Sequence, residues 1–378
     1  MTRAFPRHEA LLSRPELLAA LGGWSVGPRR VGELERTLGS HLGSGVVLAT
    51  SSARAALVAA LDSLELPTGC RILLPAYNYY VSPLAIVHTG RIPWFAEVDE
   101  NTAHLDPDAA AEALDRAEHD QGPPVCAMVV PQLFGACAPM AELVELARRR
   151  GLSVIEDAAQ ALGADYGGTA VGALGDAGVF SFRVAKPVTG FGGGALWLRD
   201  PSALLRARGT LGDTASRMRF ARDWAWGLTA PTATHPTVFR WLGWPALRLQ
   251  GVGTQVDRAL EEVLVMPPPG PLGGPMRPWQ AHIALASLRT LASRSCRRRD
   301  LGERIRQGMS RGPCPGIAPL EVVRGCTPTH LHLFARLEDG TRRAPLQARL
   351  LSRGIDTQVD DNQACHLLPF VRSSSIEA

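Results

Sequence analysis

The chain has 378 residues, 46% hydrophobic and 20% charged, the balance of a soluble globular protein long enough for two cores; its net charge of +4 is too weak to point to nucleic acid. No apolar run reaches membrane-spanning length, and the opening MTRAFPRHEALL lacks the continuous apolar stretch of a secretory leader. The seven cysteines are scattered and form no CxxC pair, which argues against a disulfide framework or a zinc site and for a reducing, cytoplasmic setting with no bound metal.

From residue 46 to 200, short apolar runs alternate with helical patterns. Strands are expected at Val46–Ala49, Ile72–Pro75, Ile92–Val98, Val125–Pro131, Leu152–Ile155, Gly178–Phe182 and Gly194–Leu198. Helix-period segments at Ala53–Leu64, Pro107–Arg116 and Met140–Arg150 lie between them. Such alternation predicts an α/β domain around a mostly parallel central sheet flanked by helices. We assign residues 1–211 to this large domain.

Residues 212–272 read as an insertion. They hold Trp224, Trp226, Trp241 and Trp244, half of the eight tryptophans, with arginines between them and prolines breaking the stretch. A lid or dimer-packing arm is the simpler expectation, and peripheral contact with an anionic membrane is the sharper one. Residues 273–378 read as a connecting helix near 279–309 and a smaller α+β domain, with a strand at His330–Arg336, a helix at Ala344–Ser352 and a strand at Gly354–Val359.

Of the 40 Lys and Arg residues, 39 are Arg and one is Lys186. Arginine replaces lysine in salt bridges and in solubility. It does not replace an amine that must lose its proton and attack a carbonyl. Lys186 lies in VFSFRVAKPVTGFGGGALWL, between two strand-like runs and beside glycines, where no surface role explains its survival.

Ligands of open α/β sheets bind beyond the carboxyl ends of the strands. Asp157 closes the Val154–Asp157 run; alone it reads first as the cap of a helix starting at Ala158, and with Lys186 downstream it reads as the partner of a protonated heterocyclic nitrogen. Ser51, Ser52, Ala53 and Arg54 join a strand to a helix start, where backbone N–H groups and a guanidinium suit a phosphate. Ser181 could add a hydroxyl to that phosphate, Tyr79 in PAYNYY could stack on a planar ring, and Gln160 could hydrogen-bond a ring oxygen.

These segments resemble the DegT/DnrJ/EryC1/StrS family of sugar aminotransferases, on the type I fold of pyridoxal 5′-phosphate enzymes. The resemblance is carried by LPAYNYYVSPLAIVHTGRIPWFAEVDENTAHLDP, by MRPWQAHIALASLRTL, by LLSRGIDTQ and, most specifically, by VIEDAAQALGADYGGTAVGALGDAGVFSFRVAK. It implies Lys186 as the Schiff-base lysine, Asp157 on the pyridine nitrogen, Gln160 near the ring oxygen, Ser181 on the phosphate and Tyr79 on the ring. It further implies a homodimer, a glutamate or glutamine donor, and a keto-sugar or related cyclitol acceptor carried on a nucleotide or lipid.

The chain departs from the family pattern in several places. Ala53-Arg54 stands for the usual Gly-Thr, Arg183 for a usual His, and Phe191-Gly192-Gly193-Gly194 for GEGG. Gly273-Gly274-Pro275 stands where family dimers lend an asparagine, and the usual strand and helix after His366 are expected to be missing. Two other outcomes stay open: a cofactor-binding protein without turnover, and a sugar dehydratase. Lys186 argues against the dehydratase, because the family's dehydratases carry His in that place.

Overall fold

The computed structural model describes residues 26–212, 273–312, 315–355 and 363–368, together with 236–238 and a few single positions. The Trp- and Arg-rich stretch at 212–272 therefore lies outside the described residues except at 212, 236–238 and 241. Half of the strand expected at Gly354–Val359, residues 356, 358 and 359, lies outside them too.

Helix α1 (Arg29–Leu42) repeats Leu34, Leu38 and Leu42 every four residues, so one apolar stripe is buried against the body of the protein. Full burial of each leucine contributes roughly 2 kcal/mol. The chain then runs through β1 (Val46–Thr50), α2 (Ala53–Ser63), β2 (Arg71–Pro75), the short β3 (Tyr77–Asn78), α3 (Val81–His88), β4 (Ile92–Ala96), α4 (Pro107–His119), β5 (Val125–Pro131), α5 (Met140–Arg150) and β6 (Ser153–Asp157). A small hairpin, β7 (Asp165–Tyr166) and β8 (Thr169–Ala170), precedes β9 (Ala177–Ser181), β10 (Gly194–Leu198) and α6 (Leu204–Thr210).

All seven expected long strands join one sheet, in the order β1-β10-β9-β6-β5-β2-β4. β10 runs antiparallel to both its neighbours and every other pairing outside it is parallel, so six strands point one way. Helices cover both faces, which is why the strands are apolar throughout rather than alternating. Ile72, Leu74, Val129, Ile155, Val179 and the apolar residues of α2 fill one side. The other side divides between a core under α1 that holds Phe180, Phe182 and Trp197, and a core under α4 and α5 that holds Leu73, Met128 and Val154.

The helix expected at 279–309 is two helices, α7 (Pro278–Leu288) and α8 (Leu291–Arg311). The cause is local. The Ser287 carbonyl accepts from Thr290 N–H at 3.2 Å, from the Thr290 hydroxyl at 3.0 Å and from Arg294 Nη2 at 2.8 Å, in place of the Leu291 N–H that a continuous helix would give it.

Beyond α8, β11 (Ile317–Pro319) pairs with β13 (Ala335–Leu337), and α9 (Arg343–Ser352) follows close to its expected span. The strand expected at His330–Arg336 forms only at its end. Its first residues spend their hydrogen bonds on the large domain: Thr329 N–H donates to Gly135 O at 2.6 Å and His332 N–H to Phe134 O at 3.2 Å. Two short strands also cross back to the large domain. β12 (Cys326–Thr327) adds to β7, and β14 (Gln363–Ala364) pairs with β3.

Candidate active site

Because six strands share one direction, the residues that leave β1, β2, β5, β6 and β9 emerge at the same edge of the sheet. The amino end of β10 meets them there, with Gly194 opposite both Thr50 and Ser181. Ser52, Ala53, Arg54, Tyr79, Asp157, Gln160, Ser181 and Lys186 all lie on or just past these strand ends.

Asp157 is the last residue of β6. The helix that it could have capped does not form, since residues 158–163 are turns. Its Oδ1 does accept from Ala159 N–H at 3.2 Å, as an aspartate at a tight turn commonly does. Oδ2 accepts from the Ser82 hydroxyl at 3.3 Å. Burial pushes the carboxyl above the ordinary aspartate range; the Ala159 N–H, the positive charge of Lys186 and the Ser82 hydroxyl pull it back. Lys186 is thus an electrostatic neighbour of Asp157.

Lys186 follows a strained turn. Its N–H donates to Arg183 O at 3.2 Å, and Ala185 between them sits at φ 72°, a conformation that costs a residue with a Cβ about 1 kcal/mol. The loop from 183 to 193 is pinned at both ends. Phe182 exchanges backbone bonds with Gly190, Gly192 and Gly193, and Thr189 N–H donates to the Ser287 hydroxyl of α7 at 3.1 Å.

At the start of α2, Ser52 is extended, at φ −169°, and its hydroxyl accepts from Ala55 N–H at 3.1 Å. The N–H groups of Ala53 and Arg54 belong to the first turn and have no carbonyl one turn back to receive them. Gly194 packs so closely here that a Cβ on it would lie 2.5 Å from Ala53 N, which only glycine allows. Ser181 is buried beside them. Arg54 holds a buried Nε with no hydrogen-bond partner among the described residues. Buried donors of this kind are ordinarily satisfied, so the junction has the donors of an anion cradle.

Tyr79 is partly exposed, with its ring 4.7 Å from that of Tyr80. Its N–H donates to Asn78 Oδ1 at 2.7 Å, and Cys365 on the returning C-terminal segment holds Asn78 O through its thiol at 3.2 Å. Gln160 Oε1 accepts from Phe134 N–H at 3.0 Å, which leaves its NH2 group on the other branch of the amide. Phe134 itself is at φ 61°, with its ring 4.0 Å from Phe334.

Three contributors were not foreseen. Ser82 is the second residue of α3 and carries no local signal. Gly274 O receives Ser51 N–H at 2.8 Å while Pro275 bridges Thr50, so the segment just before α7 closes over the end of β1. Phe134 acts through backbone conformation alone. Only the close approach of Gly194 could have been suspected, from the run of glycines after Phe191.

The fold is that of a type I pyridoxal 5′-phosphate enzyme, a mostly parallel sheet flanked by helices, and an amine, a carboxylate and a group of N–H and hydroxyl donors stand at its carboxyl edge. The chain belongs to the DegT/DnrJ/EryC1/StrS aminotransferase family, whose model matches residues 14–378. It is similar to the protein MosB of Rhizobium meliloti, 36% identical over 178 residues, which are 47% of this chain and 34% of MosB. It is also similar to L-glutamine:2-deoxy-scyllo-inosose aminotransferase of Streptomyces kanamyceticus, 37% identical over 151 residues, 40% of this chain and 34% of that enzyme. The matched stretches span less than half the length of these curated relatives. Among solved structures, the aminotransferase TlmJ from Streptoalloteichus hindustanus superposes with a TM-score of 0.73 at 26% identity, covering 97% of this chain and 87% of TlmJ.

Pyridoxal 5′-phosphate is the cofactor of this family. The residues present fit it. A cationic ring nitrogen would relieve the cost of burying Asp157, and a phosphate would meet the unsatisfied Arg54 Nε, the Ser181 hydroxyl and the free N–H groups at the start of α2. No helix among the described residues is long and apolar enough to cross a membrane, and no metal-binding cluster occurs among them.

Proposed function

We propose that this protein is an aminotransferase that moves an amino group from glutamine or glutamate to a keto-cyclitol or keto-sugar. The observation that carries it is the placing of the chain's one lysine as an electrostatic neighbour of a buried carboxylate at the carboxyl edge of the sheet. The naming of similar proteins as glutamine:scyllo-inosose aminotransferases supports the acceptor class.

Pyridoxal 5′-phosphate, when bound, supplies an electron sink conjugated with the donor's nitrogen. The protein supplies the rest. Lys186 would hold the cofactor and would be the amine that takes a proton from the donor α-carbon and returns one at the acceptor. Asp157, held by Ser82 and Ala159, keeps its charge against the ring nitrogen. Ser52, Ala53, Arg54 and Ser181 hold the phosphate, Tyr79 covers the ring, and the amide NH2 of Gln160 reaches the ring oxygen. Residues 1–211 form the cofactor domain, and two copies of the chain assemble as a homodimer. The Trp- and Arg-rich stretch at 212–272 is an arm packing at that interface or over the site.

The test is incubation of the purified protein with pyridoxal 5′-phosphate, glutamine or glutamate, and a panel of keto-cyclitols and nucleotide-linked keto-sugars, followed by absorbance and product analysis. Amination of a keto-cyclitol or keto-sugar supports the reading. Cofactor binding without turnover of any acceptor, or dehydration of a sugar in place of amination, overturns it.

A further inference from the structure

Alternation along β9 sends Val179 into the core shared with α2, and Phe180 to the opposite face, where Phe182 joins it. The same alternation puts Ser181 on the α2 side, and Arg183 follows in the bend just beyond the strand. Arg183 is tied to the lysine by the bond from Lys186 N–H to its own carbonyl, which keeps the two residues within one turn of chain. Its side chain is exposed and forms no hydrogen bond or ion pair among the described residues.

Two guanidiniums at this edge thus stand without a carboxylate among the described residues, Arg54 and Arg183. The reaction proposed above brings two anions to the same edge, the cofactor phosphate and the α-carboxylate of the amino donor. Arg54, with its Nε buried against the first turn of α2, suits the phosphate. Arg183 is exposed to solvent, three residues before Lys186. Its planar fork accepts a carboxylate through two parallel N–H bonds, geometry that an ammonium does not offer.

We propose that Arg183 binds the α-carboxylate of the amino donor and sets the choice of donor; the proposal rests on the aminotransferase reading. Arg183 is a specificity-determining residue in this role, and moves no proton.

The experiment titrates cofactor-loaded wild type, Arg183→Gln and Arg183→Lys with L-glutamine and with L-glutaminamide, which lacks the α-carboxylate. It follows the cofactor's absorbance change and, separately, cofactor retention on dialysis. In Arg183→Gln, half-saturation by glutamine should rise on the order of 10- to 100-fold, the range of a lost charge-assisted pair. Half-saturation by glutaminamide and retention of the cofactor should not change, and Arg183→Lys should recover part of the loss. An unchanged response to glutamine overturns the proposal. So does an equal loss for both donors, which would mark a structural role, and so does loss of the cofactor, which would place Arg183 on the phosphate. If wild type itself responds to no amino donor, the aminotransferase reading has failed and the proposal falls with it.

Discussion

Glu156 and Asp157 are consecutive on β6 and face opposite sides of the sheet, one held by backbone amides and the other turned toward Lys186. Glu156 is fully buried and accepts from Gly172 N–H at 2.9 Å, Leu174 N–H at 2.6 Å and Gly175 N–H at 2.8 Å, and from Gln132 Nε2 at 3.2 Å. Burial pushes its carboxyl up, and the three N–H groups hold it down. Glu156 therefore fixes the 172–175 loop to the strand that presents Asp157.

The two carboxylates should separate stability from activity. Glu156→Gln leaves buried N–H groups poorly matched and should cost about 2–4 kcal/mol, seen as a lower melting temperature. Asp157→Asn should act the other way on the apoprotein. The folded carboxyl holds its proton more tightly than the unfolded chain's, so apoprotein stability falls as pH rises through the ordinary aspartate range, and removing the charge raises the melting temperature at neutral pH. The same change should lower turnover by about a thousandfold or more, because the ring nitrogen loses its counter-ion. Near-normal turnover in Asp157→Asn would reduce Asp157 to a turn residue.

Lys186 gives a test with a single possible answer. Borohydride treatment of the cofactor-loaded protein should fix the cofactor irreversibly, and peptide mass analysis should find it on Lys186, the one lysine in the chain. Cofactor bound but recovered unattached would remove Lys186 from the reaction.

Arg54 should govern retention of the cofactor. Arg54→Ala takes away a guanidinium whose Nε is buried without a partner, and should raise the cofactor's dissociation constant roughly tenfold or more, the scale of one charge-assisted contact. The melting temperature of the apoprotein should hardly move. Equal cofactor affinity in the variant would place Arg54 outside the phosphate site.

His104 should set the acid limit of stability. It is fully buried, its Nε2 receives Leu133 N–H at 3.3 Å, and burial lowers its pKa to about 4. A histidine so lowered stabilises the fold above the unfolded value of about 6.5. That contribution is lost as pH falls toward 4, up to about 3 kcal/mol in all. Denaturant titrations at pH 7 and pH 4.5 should show the loss, and His104→Gln, which accepts the same N–H without titrating, should flatten it. An equal slope in wild type and variant would assign the acid loss to other groups.

The strands were legible because helices cover both faces of the sheet, so β2, β5, β6 and β9 had to be nearly continuous apolar runs. Lys186 stands out in the sequence for a chemical reason: arginine can take every duty of lysine except that of a nucleophilic amine. What the sequence concealed were relations between distant segments. The hydroxyl of Ser82 reaches Asp157 only because α3 begins at the edge where β6 ends, and no pattern within VSPLAIVH announces it. The break between α7 and α8 was hidden by a periodicity that continues through it, while Thr290 and Arg294 captured the carbonyl of Ser287. The Gly274–Pro275 contact likewise exists only through the meeting of that segment with β1.

The turn at Phe134 faces two ways. Its N–H is held by Gln160, at the cofactor edge, while its carbonyl and that of Gly135 receive His332 and Thr329 from the C-terminal part of the chain. Whatever orders Gln160 also orders the seat of that C-terminal part, and the two share one interaction free energy. Linkage would make the relation reciprocal: a ligand held by Gln160 would tighten the seat of the C-terminal part, and loosening that seat would weaken the ligand by the same factor. A residue such as Thr329 can therefore tune affinity at a site it never touches.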